Sequence, residues 1–568
     1  MIAILAWLDA DQTRYLVASD GALFAVVAIA LGSILSGRLR RFFAGYLGTA
    51  IYLAGVALAI YASRWPTFFV RWSLNNDEAQ ALAQALTALH HPIPWLGFDG
   101  DTCGPLTTYA LLLPRLAGAP LGFASTRVVA VLLESGSLAA LYAAVALIYG
   151  RTTARLAVLP PLAFYALTQE PDLIHYACEH SASLLAMLTM LALALCARRR
   201  PRWPAAFAIG LFAGMLPFTK IQAAPIALTL FAIGAIVVLG DRTATRRARC
   251  RLLGLTAGGA LLFPTALLAV VAAHGAFGDF WISYVRSALA YVLAGPLPPS
   301  YLTKTPEFAG FFVPTMIVTA LGALAAAREW RRLPAPERWA LPAALAFLAS
   351  ALYAIFAPRR ASLQYLLFGI MPAACAAASS LGIVLRAVRR AGPTTPRWAV
   401  RFAVSAAFVL ATLGPQHIFD RPAYGYLGHL REELAAPADP VTAMLRSYVH
   451  PGEQLVIWGW RPQYVVFTGT ILGTRDAISW YQYDENTNPY RAYYRARFIR
   501  DMEANRPQAF LDAGPDSFDF ERKGRDGHEI FPQLAALIAR DYRLVASVGP
   551  AGDRYRLYLR RSADSIQR

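Results

Sequence analysis

Twelve apolar runs dominate the first 414 residues of this chain and fix the solvent into which it folds. They lie near residues 20–36, 44–63, 123–149, 153–168, 181–198, 204–219, 221–240, 252–274, 308–327, 338–357, 361–386 and 397–414. A bilayer-spanning helix needs about 20 predominantly apolar residues, because in lipid every backbone amide must find its partner inside the segment. The sequence therefore predicts a polytopic α-helical membrane protein with about twelve transmembrane helices. Composition agrees. Of 568 residues 57% are hydrophobic and 15% charged, where a water-soluble chain carries about a quarter charged, and the mean hydropathy is +0.42. The net charge of +18 does not point to nucleic acid, since the basic residues form short clusters between apolar runs without interleaved aromatics.

Those clusters orient the chain instead. RLRR (38–41), RTTAR (151–155), ARRRPR (197–202), DRTATRRARCR (241–251), REWRR (328–332) and RAVRRAGPTTPR (386–397) occupy every second connection, which the positive-inside rule places in the cytoplasm. The alternate segments then face outward: 64–122, EPDLIHYACEH (170–180), a turn at Thr219 and Lys220, 275–307, a turn at 358–360, and everything after 415. GPLTTYALLLPRLAGAP (104–120) is apolar but short and broken by Pro114 and Arg115. As a span it would invert the downstream charge pattern, so it reads as interfacial. The segment opened by Asp77 and Glu78, with Leu82, Leu86 and Leu89 at helical spacing, reads as a helix lying on the membrane surface.

After 415 the apolar stretches shorten to strand length: QLVIWGW (454–460), QAFLDA (508–513), YRLVASV (542–548) and YRLYL (555–559), separated by helix-like segments near 437–448, 488–504 and 530–541. This predicts two domains, a transmembrane part over 1–415 with outer loops 64–122 and 169–180, and an extracytoplasmic α/β domain over 416–568. There is no internal repeat and no GxxxxGK[ST] phosphate loop, and the N-terminus lacks the basic start of a signal peptide, so no cleavage is expected. The five cysteines show no metal-ligand spacing, and although Cys103 and Cys178 both fall in outer segments, free thiols are the expectation.

Several polar groups go beyond what a membrane architecture needs. They are Asp77 and Glu78, Asp99 and Asp101 in FDGD, and His175, Glu179 and His180. Lys220 joins them as one of only three lysines among 53 basic residues, followed by Arg359 and Arg360. Charges at span boundaries are costly unless paired or hydrated, which marks them as candidate site residues. Carboxylates and cations sharing one membrane face suit a phosphate-bearing, lipid-attached substrate. Each also has a plainer reading. Asp77 is a good helix cap, Asp-Gly is turn chemistry, Glu179 sits where a helix dipole favours it, and the arginines suit a membrane surface. The Asp99-x-Asp101 spacing admits a divalent cation, with no cofactor otherwise indicated.

The order of these features resembles the C-type (GT-C) membrane glycosyltransferase superfamily, in particular bacterial relatives of dolichyl-phosphate-mannose protein mannosyltransferases and aminoarabinose lipid A transferases. The resemblance rests on DEAQALAQAL from Asp77 onward, GPLTTY ending at Tyr109, Glu179 before HSASLLAML, FTKIQAAP around Lys220, and RRASLQYLLFGIMP from Arg359 to Pro372. It covers roughly 44–415, and the IWGW-containing domain is similar to the C-terminal domains of these enzymes. The chain departs from the pattern in having Cys-Gly before a single Pro105, and Gln364 beside Tyr365. What the resemblance implies is an inner-membrane glycosyltransferase that takes a sugar from a polyprenyl-phosphate donor to a glycolipid, polysaccharide or protein acceptor at the outer face. Asp77, with Glu78 and Glu179, would be catalytic. Lys220, Arg359, Arg360, Tyr365, Asp99, Asp101, His175 and His180 would bind substrate, among membrane lipids and with no nucleic-acid partner. Two other classes fit the architecture: a lipid-linked-sugar polymerase or ligase, and a transporter or flippase, which would need ionisable residues at mid-membrane.

Overall fold

The computed structural model describes residue 7 and residues 11–198, 200–241, 244–295, 297–298, 300–390, 397–419, 439–483, 489–513, 527–549 and 554–561. The chain divides into two compact units. One comprises Met1–Val70, Arg127–Ala266 and Pro296–Glu432; the other comprises Arg71–Thr126, Leu267–Gly295 and Glu433–Arg568.

In the first unit the apolar runs become helices. Among the described residues ten helices are long and apolar enough to cross a membrane: Thr13–Leu35, Tyr46–Phe69, Phe123–Tyr149, Cys178–Arg198, Ile221–Leu239, Arg246–Ala273, Phe308–Arg332, Ala335–Phe356, Leu363–Arg390 and Arg397–Ile418. The other two expected spans are helical but shorter, Arg151–Leu167 with Pro160 and Pro161 inside it, and Trp203–Phe218. Every residue from Thr153 to Leu167 is buried, so neighbouring helices enclose backbone that a short helix would otherwise expose to lipid.

Small side chains set how closely these helices pack. Gly210 and Gly214 form a GxxxG pair, and a Cβ at Gly210 would lie 1.9 Å from the carbonyl oxygen of Thr256, one at Gly214 2.2 Å from that of Ala260. Contact at backbone distance is what glycine permits in a membrane, where no hydrophobic force joins helices and dispersion must do so. The helix Leu367–Arg390 carries the run Ala-Ala-Cys-Ala-Ala-Ala-Ser-Ser from Ala373 to Ser380, and every residue of it is buried.

The second unit holds a five-stranded mixed sheet of β1 (Gln454–Trp458), β2 (Ile471–Leu472), β3 (Ala509–Asp512), β4 (Tyr542–Val548) and β5 (Tyr555–Arg560), in the order β2-β1-β3-β5-β4. β1 runs parallel to β2 and β3, whereas β5 is antiparallel to β3 and β4. The four expected strands are present, and β2 is the addition. Helices Pro440–Arg446, Arg491–Asn505 and Pro532–Asp541 occupy the three expected helical segments. This unit is larger than the C-terminal segment, because 71–126 and 267–295 fold into it. In 104–120 only two short helices form, Pro105–Ala110 and Leu113–Leu116, so that stretch does not span.

The helix Asn76–Ala88 corrects the expectation of a membrane-surface helix. Leu82 is fully buried but Leu89 is 45% exposed, while Gln84 and Thr87 are buried. Gln84 donates to the Asp99 carbonyl at 2.8 Å, and the Thr87 hydroxyl accepts from the Leu472 amide at 3.0 Å. Ala79, Ala83, Ala85 and Ala88 keep the helix thin enough to sit on protein rather than lipid, so its polar positions are satisfied internally.

Candidate functional site

In the membrane unit Lys220 sits in extended conformation between two short 3₁₀ turns, Leu216–Phe218 and Ile221–Ala223. Its ammonium lies 2.7 Å from Glu179 Oε1 and 4.6 Å from the centroid of the Tyr365 ring. All three residues are buried. Glu179 lies in the first turn of Cys178–Arg198, where the helix dipole favours a carboxylate. Tyr365 comes from the turn Leu363–Leu366 that precedes the long buried helix. The second Glu179 oxygen, Oε2, has no hydrogen-bond partner among the described residues. An ion pair held out of water and capped by an aromatic face fixes the ammonium in place, and its interactions are little screened. Arg359 makes none of these contacts. It is exposed, with φ of 53°, and its Nε donates to the Leu297 carbonyl at 3.1 Å. Arg360 is half-buried.

The histidines are held in opposite tautomers. His175 Nδ1 donates to the Pro171 carbonyl at 3.0 Å, and its buried Nε2 has no hydrogen-bond partner among the described residues. His180 Nδ1 instead accepts from the Ala177 amide at 3.1 Å, which leaves the proton on Nε2, 3.1 Å from Glu134 Oε1. Arg64 Nη2 reaches the same oxygen at 3.4 Å, and its Nε donates to the Tyr165 carbonyl at 2.9 Å. Sequence reasoning missed Glu134 and Arg64. Glu134 lies well inside the span Phe123–Tyr149, and a lone carboxylate within an apolar run was the signal that could have found it.

The second unit places the other candidates. Helix Asn76–Ala88 is capped by Asn75, whose side chain accepts from the Asp77 amide at 2.8 Å, so the cap is not Asp77. Glu78 is fully buried and its Oε2 accepts from the Leu74 amide at 3.0 Å, one residue before the cap, which ties down the chain entering the helix. Asp77 is half-buried beside it. Asp99 is committed elsewhere. Its Oδ2 takes Arg497 at 2.7 Å and the Ser283 hydroxyl at 2.5 Å, and its Oδ1 accepts from the Asp101 amide at 3.0 Å. That last bond, with Asp101 at φ 56°, is the turn chemistry of Asp-Gly-Asp. The Asp101 Oδ2 accepts from Gln80 at 3.2 Å; burial, then the nearby Asp99 and Asp476, push its carboxyl well above the usual range.

Around Asp99 a buried network joins the three segments of this unit. Arg497 also pairs with Asp476. Arg475 binds Asp501 in bidentate fashion at 2.7 and 2.9 Å, Asp279 at 2.7 Å and the Trp95 carbonyl at 2.5 Å. Burial raises the Asp476 carboxyl to about 6 against the pull of Arg497. Arg497 thus occupies the Asp99 Oδ2 for which a cation shared with Asp101 would compete. Among the described residues, Asp512, His528 and Glu529 cluster with the right atoms for a metal, but Arg556 holds both carboxylates. Cys103 and Cys178 are each disulfide-bonded, correcting the expectation of free thiols, whereas Cys196, Cys250 and Cys375 are free.

No protein-family model matches the chain, and no curated relative does. Solved structures do. ArnT from Cupriavidus metallidurans bound to undecaprenyl phosphate matches over 90% of this chain and 98% of its own, with a TM-score of 0.53 at 12% identity. ArnT from the same organism in the apo state matches over 90% and 98%, at 0.48 and 14%. An oligosaccharyltransferase from Archaeoglobus fulgidus tethered with an acceptor peptide matches over 92% and 75%, at 0.45 and 13%. At such identities the likeness is one of fold. This multi-pass helical membrane protein with its added α/β sheet has the fold of the C-type membrane glycosyltransferases.

Proposed function

We propose that the chain transfers a sugar from a polyprenyl-phosphate carrier to an acceptor on a glycolipid, a polysaccharide or a protein. The observation that carries this reading is the buried Lys220–Glu179 pair on the Tyr365 face. As the bond between sugar carbon and phosphate oxygen breaks, the carbon gains oxocarbenium character and the phosphate gains charge. An ammonium has three N–H donors, and Glu179 takes one; the others are available to the departing phosphate. Glu179 then acts by holding the Lys220 ammonium in place and aimed, which is a positioning role. Arg359 and Arg360 extend the positive surface for the donor, and His175 and His180 support the helix start that carries Glu179.

In the other unit the resemblance assigns the acceptor proton to Asp77. Glu78 serves the helix start, Asp99 the ion network, and the proposed chemistry places no cation at Asp99 and Asp101. The membrane is the cytoplasmic one, with the C-terminus outside it. An alkaline phosphatase fusion after Arg568 is expected to be active, and an inactive fusion beside an active cytoplasmic reporter overturns that orientation. The function is tested by mass spectrometry of envelope glycolipids and polysaccharide from host cells with and without the gene. A sugar missing in the deletion and restored by the wild-type gene supports transfer; identical glycan profiles overturn it. Transport is the second reading, favoured by Arg64, Glu134 and His180 buried together among the spans. Full sugar transfer by Glu134→Gln protein in detergent, where no compartments exist, argues against it.

A further inference from the structure

The membrane unit contains a cavity of about 690 Å³, lined among others by Val145, Leu193, Ile233 and Ala343. None of Glu179, Lys220 or Tyr365 lines it. Its walls are the helix ends that lead into the basic connections: Tyr149 before RTTAR, Ala197 in ARRRPR, Gly240 and Asp241 before the basic stretch 246–251, and Trp330 in REWRR. By the positive-inside rule this is the cytoplasmic end of the bundle, opposite to the end assigned to the sugar donor.

Its wall is apolar, but its charged lining is one-sided. Arg202 and Arg338 face a single carboxylate, Asp241, which Arg202 pairs with and Arg200 also reaches at 3.9 Å. The Nε atoms of Arg202 and Arg338 are buried and have no hydrogen-bond partner among the described residues. Arg338 Nη2 is used by the Leu333 carbonyl at 2.9 Å. Two tryptophans of the lining, Trp330 and Trp339, are 39% and 50% exposed, as expected of side chains at the level of lipid headgroups. An apolar bay beside surplus guanidinium groups and interfacial tryptophans matches a lipid with long chains and a negatively charged head.

We propose that this cavity binds an anionic phospholipid of the cytoplasmic leaflet. Its acyl chains would lie along Val145, Leu193 and Ile233, and its phosphate would lie against the guanidinium groups of Arg202 and Arg338 that line the cavity. A guanidinium suits the task, since it binds phosphate with fixed fork geometry and stays charged when partly buried.

The full chain, purified and delipidated in mild detergent, is titrated with phosphatidylglycerol or phosphatidylethanolamine of the same chain length and read by native mass spectrometry. One tightly held phosphatidylglycerol is expected, at roughly tenfold lower concentration than phosphatidylethanolamine, which corresponds to one charge-assisted contact. Arg338→Gln should reduce that preference, and Arg202→Gln with it should abolish it. Ala340→Trp, which fills the lining at a half-buried position, should weaken phosphatidylglycerol binding about tenfold while the protein stays monodisperse. Should Arg202→Gln fail to fold because Asp241 loses its partner, the Arg338 and Ala340 variants decide alone. Equal retention of both headgroups by wild type, or undiminished phosphatidylglycerol binding by the Ala340 variant, overturns the proposal.

Discussion

Lys220 is the residue on which structural and functional roles can be separated. In Lys220→Met the Glu179 carboxylate stays buried with its cation gone. Breaking a buried pair by removing one partner costs about 3–5 kcal/mol, because the remaining charge is uncompensated. Loss of the ammonium over the Tyr365 ring adds about 0.5–2 kcal/mol. The single variant is therefore expected to be strongly destabilised, and its inactivity alone would say nothing about phosphate. Lys220→Met with Glu179→Leu replaces the pair by apolar groups of similar size, which is about neutral or stabilising. The double variant should recover the thermal stability of wild type in detergent, followed by monodispersity after heating. Its sugar transfer at limiting lipid donor should nonetheless stay low, by roughly 10–150-fold, since a charge-assisted contact to phosphate contributes about 1.5–3 kcal/mol. Wild-type transfer by the stable double variant would show that the pair only holds the bundle together. A single variant as stable as wild type would refute the premise that Glu179 is buried and dependent on Lys220.

Four further outcomes follow from the second unit. Asn75→Ala should cost about 1 kcal/mol of stability with little effect on turnover, because Asn75 is the cap; Asp77→Asn should fold normally yet lose at least about a hundredfold in transfer rate, and near wild-type turnover by purified Asp77→Asn would move the base to another carboxylate, Asp101 first. Arg497→Met leaves Asp99 and Asp476 buried without their cation, so thermal unfolding of the full chain should show a loss of at least about 3 kcal/mol, and a loss under about 1 kcal/mol would contradict the network. Asp476 titrates near 6 in the folded chain against an ordinary 3.8, so the folded state holds the proton more tightly. The unfolded chain ionises first as pH rises, stability falls between pH 4 and 6, and above that the effect is constant. Asp476→Asn should remove that part of the pH profile, and parallel melting profiles for the two proteins would show that Asp476 does not titrate there.

The helical spans, the position of every main strand and the identity of Lys220 and Glu179 as unusual residues were legible in the sequence because the bilayer imposes a local rule. A run of apolar side chains must become a helix where no water can satisfy the backbone, and a charge at its edge stands out for the same reason. The short apolar stretches at 454–460 and 542–548 are equally local signals. What the sequence left undetermined depends on partners far away in the chain. That Asp99 is consumed by Arg497, 398 positions later, cannot be read from Asp-Gly-Asp, whose turn chemistry and cation-binding pattern look the same until the guanidinium arrives. Leu82, Leu86 and Leu89 mark a helix but not what it lies on; only the packing of Leu82 with Ala79 and Phe123, with the contacts of Gln84 to Asp99 and Thr87 to Leu472 on the opposite face, shows that protein encloses it. Glu134 was hidden by averaging, since one carboxylate barely lowers the hydropathy of a 27-residue helix, and its worth depends on Arg64 and His180 from two other helices. Periodicity and solvent act residue by residue along the chain, whereas the cost of a buried charge is settled only by which opposite charge the tertiary structure brings within a few ångströms of it.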